Sequence, residues 1–200
     1  MTEKLSKEAI NSRKPEYEIH PIIIGRWSPR AMAGEEISDE ELMPLFEAAR
    51  WAPSSYNNQP WRFIYAKRNT EHWKKFMDLM VEFNQSWTKN AAVLIVVISQ
   101  KIFEYNGKPS RTHNFDAGAA WENLAIEGAS RGFVVHGMEG FDYDKARNVL
   151  GIPDDYDVEC MIAVGVKGKK EDLPKELQDK EVPSTRKPLK EIVMEGGFRK

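Results

Sequence analysis

The stretch AARWAPSSYNNQPWRF, residues 48–63, joins a predicted helix to a predicted strand. The helical pattern ends at Pro53, and an apolar, β-prone run begins at Trp61. Small and polar residues fill the interval, namely Ser54, Ser55, Asn57, Asn58 and Gln59. A loop that is fixed at both ends and rich in hydrogen-bond donors and acceptors is suited to holding a planar polar ring. The alternative is an ordinary polar connection, and the density of amide groups between Trp51 and Trp61 favours the binding loop.

The hydrophobic pattern on either side of this loop predicts both helices and strands. Ser38 and Glu41 form a capping box that starts a helix. Val93–Ile98 is almost continuously apolar, which is typical of a central strand covered on both faces. The other predicted elements are strands over 61–66, 133–135 and 158–166, and helices over 70–83, 115–131 and 142–151. This pattern indicates one α+β domain over residues 1–200, in which helices cover a sheet.

Three further segments carry weaker signals. Residues 1–18 are polar and predict an arm or a short surface helix, and residues 100–113 predict a loop able to lie over a pocket. Residues 167–200 are charged and proline-rich at first, which indicates an extension that runs over a surface. Ser28 followed by Pro29 predicts a helix N-terminus. Backbone amides there, with neighbouring arginines, suit a phosphate group, and two solvated surface charges are the alternative.

Four short motifs carry a resemblance to a known family: RWSPR at 26–30, PSSYNNQPW at 53–61, GMEGF at 137–141 and RKPL at 186–189. Their sequence and order resemble the signatures of the FMN-dependent nitroreductase family, over about residues 20–195. The resemblance implies a nitroreductase-like fold with a mixed, mostly antiparallel sheet covered by helices on both faces. It also implies that the C-terminal extension crosses to a partner subunit.

The same resemblance implies a cofactor site. The arginine motif and Arg186 would hold the FMN phosphate, and the turn at Gly140 would bring the backbone close to flavin N5. At Trp87 some bacterial relatives carry a lysine, so this chain lacks a cation near the flavin. Flavin N5 carries the chemistry, and no catalytic side chain is expected. The implied FMN-binding residues are Arg26, Trp27, Ser28, Arg30, Pro53, Ser54, Ser55, Asn57, Gln59, Asn84, Met138, Glu139, Gly140, Arg186 and Lys187.

The implied activity is reduction of nitroaromatics, quinones or similar electron-poor acceptors, with NAD(P)H as co-substrate and a ping-pong mechanism. In this family the Pro-Ser-Ser segment reaches the flavin of the partner, which implies a homodimer with FMN sites at the subunit interface. One alternative is a flavin reductase that supplies free reduced flavin to another enzyme. A second alternative is an FMN-binding protein without turnover.

Composition limits the other classes of function. The net charge is −2, with acidic and basic residues interspersed, so a nucleic-acid partner is not expected. The four histidines are scattered and Cys160 is the single cysteine, so neither a metal site nor a disulfide is expected. Cys160 lies in an apolar run and is expected to be a buried, inert thiol. The polar N-terminus and the short apolar runs predict a cytoplasmic protein without a membrane partner.

Overall fold

The computed structural model describes residues 5–199. Its helices are α1 (Lys7–Ser12), α2 (Pro21–Gly25), α3 (Asp39–Arg50), α4 (Trp73–Met77), α5 (Glu82–Thr88), α6 (His113–Ser130), α7 (Tyr143–Leu150) and α8 (Lys175–Gln178). Its strands are β1 (Trp61–Lys67), β2 (Val93–Gln100), β3 (Phe133–Met138) and β4 (Tyr156–Val166). The first four residues of the predicted arm and the last residue of the predicted extension lie outside the described residues.

The four strands form one sheet in the order β1-β2-β4-β3, and every neighbouring pair is antiparallel. The side chains of strand β2 point alternately into two hydrophobic cores, one on each face of the sheet. Leu94 and Val96 pack with α4, α5 and α7, whereas Ile95 and Val97 pack with α3 and α6. A strand buried on both faces needs apolar residues at every position, which explains the continuous apolar run. The predicted α+β fold, with helices on both faces of the sheet, is therefore confirmed.

Helix α3 begins as its sequence predicts. The Ser38 hydroxyl accepts a hydrogen bond from the Glu41 backbone N–H, and the Glu41 carboxylate accepts one from the Ser38 N–H. This reciprocal pair satisfies two backbone donors that the first turn cannot use. Leu42 and Leu45 lie one turn apart on the buried face. They pack against α6 and fix the position of the loop that follows α3.

The prediction of a single helix over residues 70–83 is wrong. The chain forms two short helices, α4 and α5, separated by a short segment that turns and then forms an isolated β-bridge between Met80 and Phe141. In that segment Val81 N–H donates to Gly140 O at 3.1 Å, and Asp142 N–H donates to Leu79 O at 2.9 Å. These backbone bonds pair the segment with the turn after β3, so tertiary pairing overrides the local helical pattern.

The prediction that a helix begins at Ser28 and Pro29 is also wrong. A short helix, α2, precedes this position instead, and it is capped by His20 with Pro21 in its first turn. The chain after α2 is extended, and the backbone N–H groups of Arg30 and Ala31 donate to the Glu181 carboxylate at 2.8–3.0 Å. The local proline signal is overridden because these two amides are fixed by a residue far along the chain.

The two chain ends lie against each other. Helix α1 begins at Ser6, whose hydroxyl accepts from Ala9 N–H. In the extension, Leu189 N–H donates to a Glu16 carboxylate oxygen at 2.8 Å. Most of residues 182–199 are exposed, including the apolar side chains of Ile192, Val193 and Phe198. Across residues 5–199, none of the helices has both the length and the apolar character required to cross a bilayer.

Candidate functional site

A pocket of about 460 Å³ opens between α6 and the turn that follows β3. Its wall is formed by the first half of α6, the end of β3, the start of α7 and one segment of β4. The lining residues are Val97, Asn114, Ala117, Gly118, Trp121, Gly137, Met138, Glu139, Tyr143, Glu159 and Cys160. Two residues of the predicted cofactor site, Met138 and Glu139, therefore lie in its wall.

The Arg26 side chain lies beside Trp121. The Arg26 guanidinium lies 5.9 Å from the centre of the Trp121 ring and 3.5 Å from the Glu122 carboxylate. Its side chain is only 12% exposed, and one nitrogen donates to the Ser28 hydroxyl at 3.3 Å. Two members of the predicted phosphate motif are thus in contact with each other and next to the pocket wall.

Arg13 joins this group although sequence reasoning did not single it out. One guanidinium nitrogen donates to the carbonyls of Ile24 and Arg26 at 2.7 Å, and another donates to Ser184 O at 3.1 Å. Burial lowers the pKa of Arg13, and the nearby charges of Arg186 and Arg26 lower it further. The extension therefore brings Arg186 near enough to Arg13 for the two charges to interact. No local pattern could have indicated Arg13, because its contacts are all to distant segments.

The other residues of the two basic motifs have different surroundings. The Trp27 indole N–H donates to Ser6 Oγ, so that ring is committed to the start of α1. Arg186 donates to Ser184 Oγ at 2.9 Å and is exposed, as is Lys187. Arg30 is half-buried, and its backbone N–H is the one held by Glu181. The charges of Arg30 and Arg26 both lower the pKa of His136.

The polar loop after α3 has a strained backbone. Tyr56, Asn57 and Gln59 have φ values of 53°, 53° and 47°, a left-handed conformation that costs free energy for residues other than glycine. The loop is held by Ser54 Oγ, which accepts from Gln59 N–H at 3.0 Å. Pro53 is exposed and Ser55 is half-buried. Strain kept in place by specific hydrogen bonds favours a binding loop over an ordinary connection.

Asp116 connects this loop to α6 and is a second residue that sequence reasoning missed. One of its carboxylate oxygens accepts from Ser55 N–H at 3.0 Å and from Thr112 Oγ1 at 3.3 Å. Asp116 is 5% exposed and lies in the first turn of α6, between Asn114 and Ala117 of the pocket wall. An acidic residue inside a predicted amphipathic helix gives no sign that it will reach a loop 61 positions away.

Asn84 lies at the glycine turn beside the pocket. Its side-chain amide donates to Gly140 O at 2.9 Å, and its oxygen accepts from the Trp87 indole N–H at 3.3 Å. A Cβ at Gly140 would lie 2.6 Å from the Asn84 amide nitrogen, so only glycine fits at this close approach. The structure brings together two predicted cofactor residues from separate motifs, and Trp87 is buried behind them.

His136 is hydrogen-bonded to the segment 26–30, which carries Arg26 and Arg30. Its Nδ1 lies 2.9 Å from Pro29 O, and its ring packs at 4.6 Å from Trp87. Burial is the main reason that the pKa of His136 falls to about 4, with a smaller contribution from the charge of Arg30. At neutral pH His136 is therefore an uncharged structural residue that donates from Nδ1 to the Pro29 carbonyl.

Two weakly acidic groups in the pocket keep their protons. Burial raises the pKa of the Cys160 thiol to about 12, and the Glu159 carboxylate adds to this effect. Burial also raises the pKa of Tyr143, with further contributions from Glu139, Cys160 and Glu159. Cys160 is thus a protonated thiol that is unsuited to nucleophilic attack, as its position in an apolar run predicts. In residues 5–199 no group of three or more His, Cys, Asp or Glu side chains is placed to hold a metal ion.

The comparison with known proteins gives the family. Residues 23–166 match the model of the nitroreductase family. The chain belongs to the nitroreductase family. A solved structure described as an oxidoreductase containing FMN shares 45% identity with it and a TM-score of 0.91, over 94% of this chain and 97% of that one.

Curated relatives of this nitroreductase-family chain include two named proteins. One from Archaeoglobus fulgidus, named "Putative NADH dehydrogenase/NAD(P)H nitroreductase", is 29% identical over 72% of this chain and 82% of its own. An "Oxygen-insensitive NADPH nitroreductase" from Helicobacter pylori is 41% identical over 33% of this chain and 30% of its own length. The first match covers most of both proteins, whereas the second covers about a third of each.

Proposed function

We propose that this protein is an FMN-dependent oxidoreductase that takes electrons from NAD(P)H and passes them to nitroaromatics, quinones or similar electron-poor acceptors by a ping-pong mechanism. Family membership supports this proposal, as does the name of the solved relative that contains FMN. The names of the curated relatives support NAD(P)H as the electron donor. One observation carries the proposal, namely that Arg26 lies next to the pocket wall and that the charges of Arg26 and Arg186 both act on Arg13.

The arginine group fits a phosphate. The charges of Arg26 and Arg186 both lower the pKa of Arg13, so Arg13 is repelled by each of them. A dianionic phosphate would relieve that repulsion, and guanidinium groups match its oxygens with paired N–H donors. Ser28 Oγ, already in contact with Arg26, would add a hydroxyl donor. These residues would hold the FMN phosphate, and Arg30 and Lys187, which belong to the same two basic motifs, are further candidates.

The pocket beside the arginines fits a planar ring. Trp121 in its wall has a buried indole N–H without a hydrogen-bond partner among the described residues. Gly137 and Gly140 allow Trp121 and Asn84 to pack closely against the backbone, since a Cβ would lie 3.0 Å from the Trp121 ring and 2.6 Å from Asn84 respectively. An unpaired buried donor beside a glycine-lined wall suits a ring that carries hydrogen-bond acceptors. FMN, when bound, would supply the two-electron chemistry of the reaction.

We also propose that the working unit is a homodimer. Trp51, Tyr56 and Phe115 are 73–79% exposed and surround the polar loop and the start of α6. Large aromatic side chains grouped on a surface mark an interface. In such a dimer Pro53, Ser54, Ser55, Asn57 and Gln59 would border the flavin of the partner. The exposed apolar residues of segment 182–199 would then be covered by the second copy.

The proposed function is tested by the visible spectrum of the purified protein after addition of FMN and removal of free flavin. We expect a yellow protein that is bleached anaerobically by NADPH or NADH and regains its colour with a quinone or a nitroaromatic. Ping-pong kinetics would give parallel double-reciprocal plots. A protein that stays colourless contradicts FMN binding, and a yellow protein that neither nucleotide bleaches is the non-turnover alternative. Reduced flavin that passes through a filtration membrane would indicate the flavin reductase alternative.

A further inference from the structure

At the end of the pocket away from the arginines, polar side chains form a continuous hydrogen-bonded chain. Ser99 on β2 is completely buried, and its hydroxyl contacts both the Glu159 carboxylate and His113 Nδ1, the latter at 2.6 Å. The Ser99 hydroxyl has one hydrogen and donates it to Glu159, so His113 must donate from Nδ1. His113 Nε2 then faces the Asp157 carboxylate at 3.8 Å, towards solvent.

A β-bulge creates this arrangement. In the pairing of β2 with β4, Val97 lies opposite Cys160 but Ile98 lies opposite Val158, so Glu159 is the extra residue. A bulge turns one additional side chain out of the regular alternation. Glu159 and Cys160 therefore both line the pocket, although they are adjacent in a strand. Without the bulge, one of these two side chains would point to the opposite face of the sheet.

Among the titratable groups in and around the pocket, Glu159 is the one suited to proton transfer into it. Tyr143 on α7 and Cys160 on β4 hold their protons tightly, because both have a raised pKa. Glu139 is exposed on its turn and lies in the same wall, and Lys101 pairs with Asp157 at 3.6 Å outside it. Glu159 differs from these groups because one of its oxygens is hydrogen-bonded to a buried donor chain that ends at the surface.

We propose that Glu159 is a catalytic proton donor to the electron acceptor, and that Ser99 and His113 are positioning residues that return the proton to it. This inference rests on the proposed function. Reduction of a quinone to a hydroquinone adds one hydride equivalent from the reduced cofactor and one proton to a quinone oxygen. The Glu159 carboxylate takes that proton from the Ser99 hydroxyl and passes it to the quinone, and Ser99 takes a replacement proton from His113 Nδ1. His113 takes up the replacement proton from water at Nε2, beside Asp157.

The kinetic test separates proton transfer from electron transfer. The FMN-loaded protein is first reduced with NADPH and then mixed with either a benzoquinone or ferricyanide, which accepts electrons without a proton. In Glu159→Gln we expect bleaching by NADPH and reaction with ferricyanide to be unchanged. Reaction with the quinone is expected to slow about 100-fold, within the usual range for loss of a general acid. Glu159→Asp should recover part of the rate, and Glu127→Gln, which lies in an ion pair with Arg131, is the matched control.

A second measurement needs no cofactor. In the flavin-free protein, ¹⁵N-labelled histidine should show His113 protonated at Nδ1, with slow exchange of that proton. Ser99→Ala should abolish the slow exchange, whereas Glu127→Gln should not. Equal slowing of the quinone and ferricyanide reactions in Glu159→Gln, or an unchanged quinone reaction, overturns the inference. If the wild-type protein is not bleached by NADPH or NADH, the proposed function fails separately, and the NMR result alone then decides whether the hydrogen-bonded chain exists.

Discussion

The two ends of the pocket are built in different ways. The arginine end collects Arg13, Arg26 and Arg186 from the N-terminal segment, the loop after α2 and the C-terminal extension. The opposite end takes Ser99 and Glu159 from two neighbouring strands of the sheet. At the arginine end the charges of Arg26 and Arg186 oppose that of Arg13, whereas the polar groups at the other end satisfy one another internally. The first end is thus prepared to receive an anion, and the second depends on the register of β2 and β4 and on His113 at the start of α6.

This difference predicts that removing arginines affects ligand binding far more than folding. In Arg26→Ala combined with Arg186→Ala we expect FMN affinity to fall at least about 100-fold, because a hydrogen bond to a charged group contributes about 1.5–3 kcal/mol. The thermal midpoint of the flavin-free protein should not fall, since relief of repulsion offsets the lost contacts. Fluorescence titration with FMN measures the first effect, and calorimetry measures the second.

Arg131→Ala is the control for this double substitution, because Arg131 pairs with Glu127 at the far end of α6. It should bind FMN as the wild type does. Full retention of flavin in the double variant would refute the assignment of Arg26 and Arg186 to the phosphate.

The arginine end should also be the acid-sensitive end. The pKa of His136 is about 4 in the folded protein and 6.5 for an ordinary histidine, so between these values the unfolded chain binds a proton that the folded chain excludes. Burial of neutral His136 should therefore not reduce the free energy of unfolding above pH 6.5. As the pH decreases from 6.5 to 4, the free energy of unfolding should fall by up to about 3 kcal/mol.

Urea titrations across this pH range measure the effect, and His136→Gln is the comparison. The other histidines are present in both proteins, so the difference between the two pH profiles isolates His136. Parallel profiles would show that His136 is not buried in the neutral form.

A smaller effect is expected where the polar loop is fastened to α6. Asp116→Ala removes the acceptor for Ser55 N–H and Thr112 Oγ1. We expect a loss of about 1–3 kcal/mol in the free energy of unfolding, because a buried backbone donor is left without a partner. Faster proteolysis between Pro53 and Gln59 should accompany this loss.

Asp116→Asn keeps an acceptor oxygen and should recover most of the stability lost in the alanine variant. Equal destabilisation in both variants would mean that the negative charge, rather than the hydrogen bond, holds the loop.

The smallest effect is expected at Cys160. Its thiol pKa of about 12 keeps the thiolate scarce at pH 8, so iodoacetamide should label the folded protein very slowly although Cys160 lines the pocket. Labelling should accelerate with each unit of pH, and urea-unfolded protein should react at the rate of a free cysteine. Fast labelling of the folded protein at pH 8 would contradict the protonated thiol.

The sequence predicts those elements whose signals are local. The capping box at Ser38 and Glu41 identifies the start of α3, and the apolar run from Val93 identifies β2 with both faces covered. The split between α4 and α5 could not be predicted, because it depends on backbone pairing of Val81 with Gly140. The Ser28–Pro29 signal is misleading for the same reason, since the distant Glu181 takes the amides that a helix start would leave free.

In the candidate site, too, residues in local motifs are predicted and residues that act through distant contacts are not. Motif resemblance predicts Arg26, Asn84 and Gly140, and the structure places the last two in contact. Arg13 and Asp116 lie outside those motifs and act through contacts with distant segments, so no spacing rule indicates them. Whether the predicted site residues hold FMN stays a prediction.

If the arginine end recognises a phosphate, the protein should distinguish flavins with and without one. The most direct test compares the affinities of the wild-type protein for FMN and for riboflavin, which has the same ring without the phosphate. We expect FMN to bind at least about 100-fold more tightly, since two or more guanidinium contacts depend on the phosphate. The Arg26→Ala and Arg186→Ala double variant should bind the two flavins alike. Equal affinities in the wild type would contradict the account.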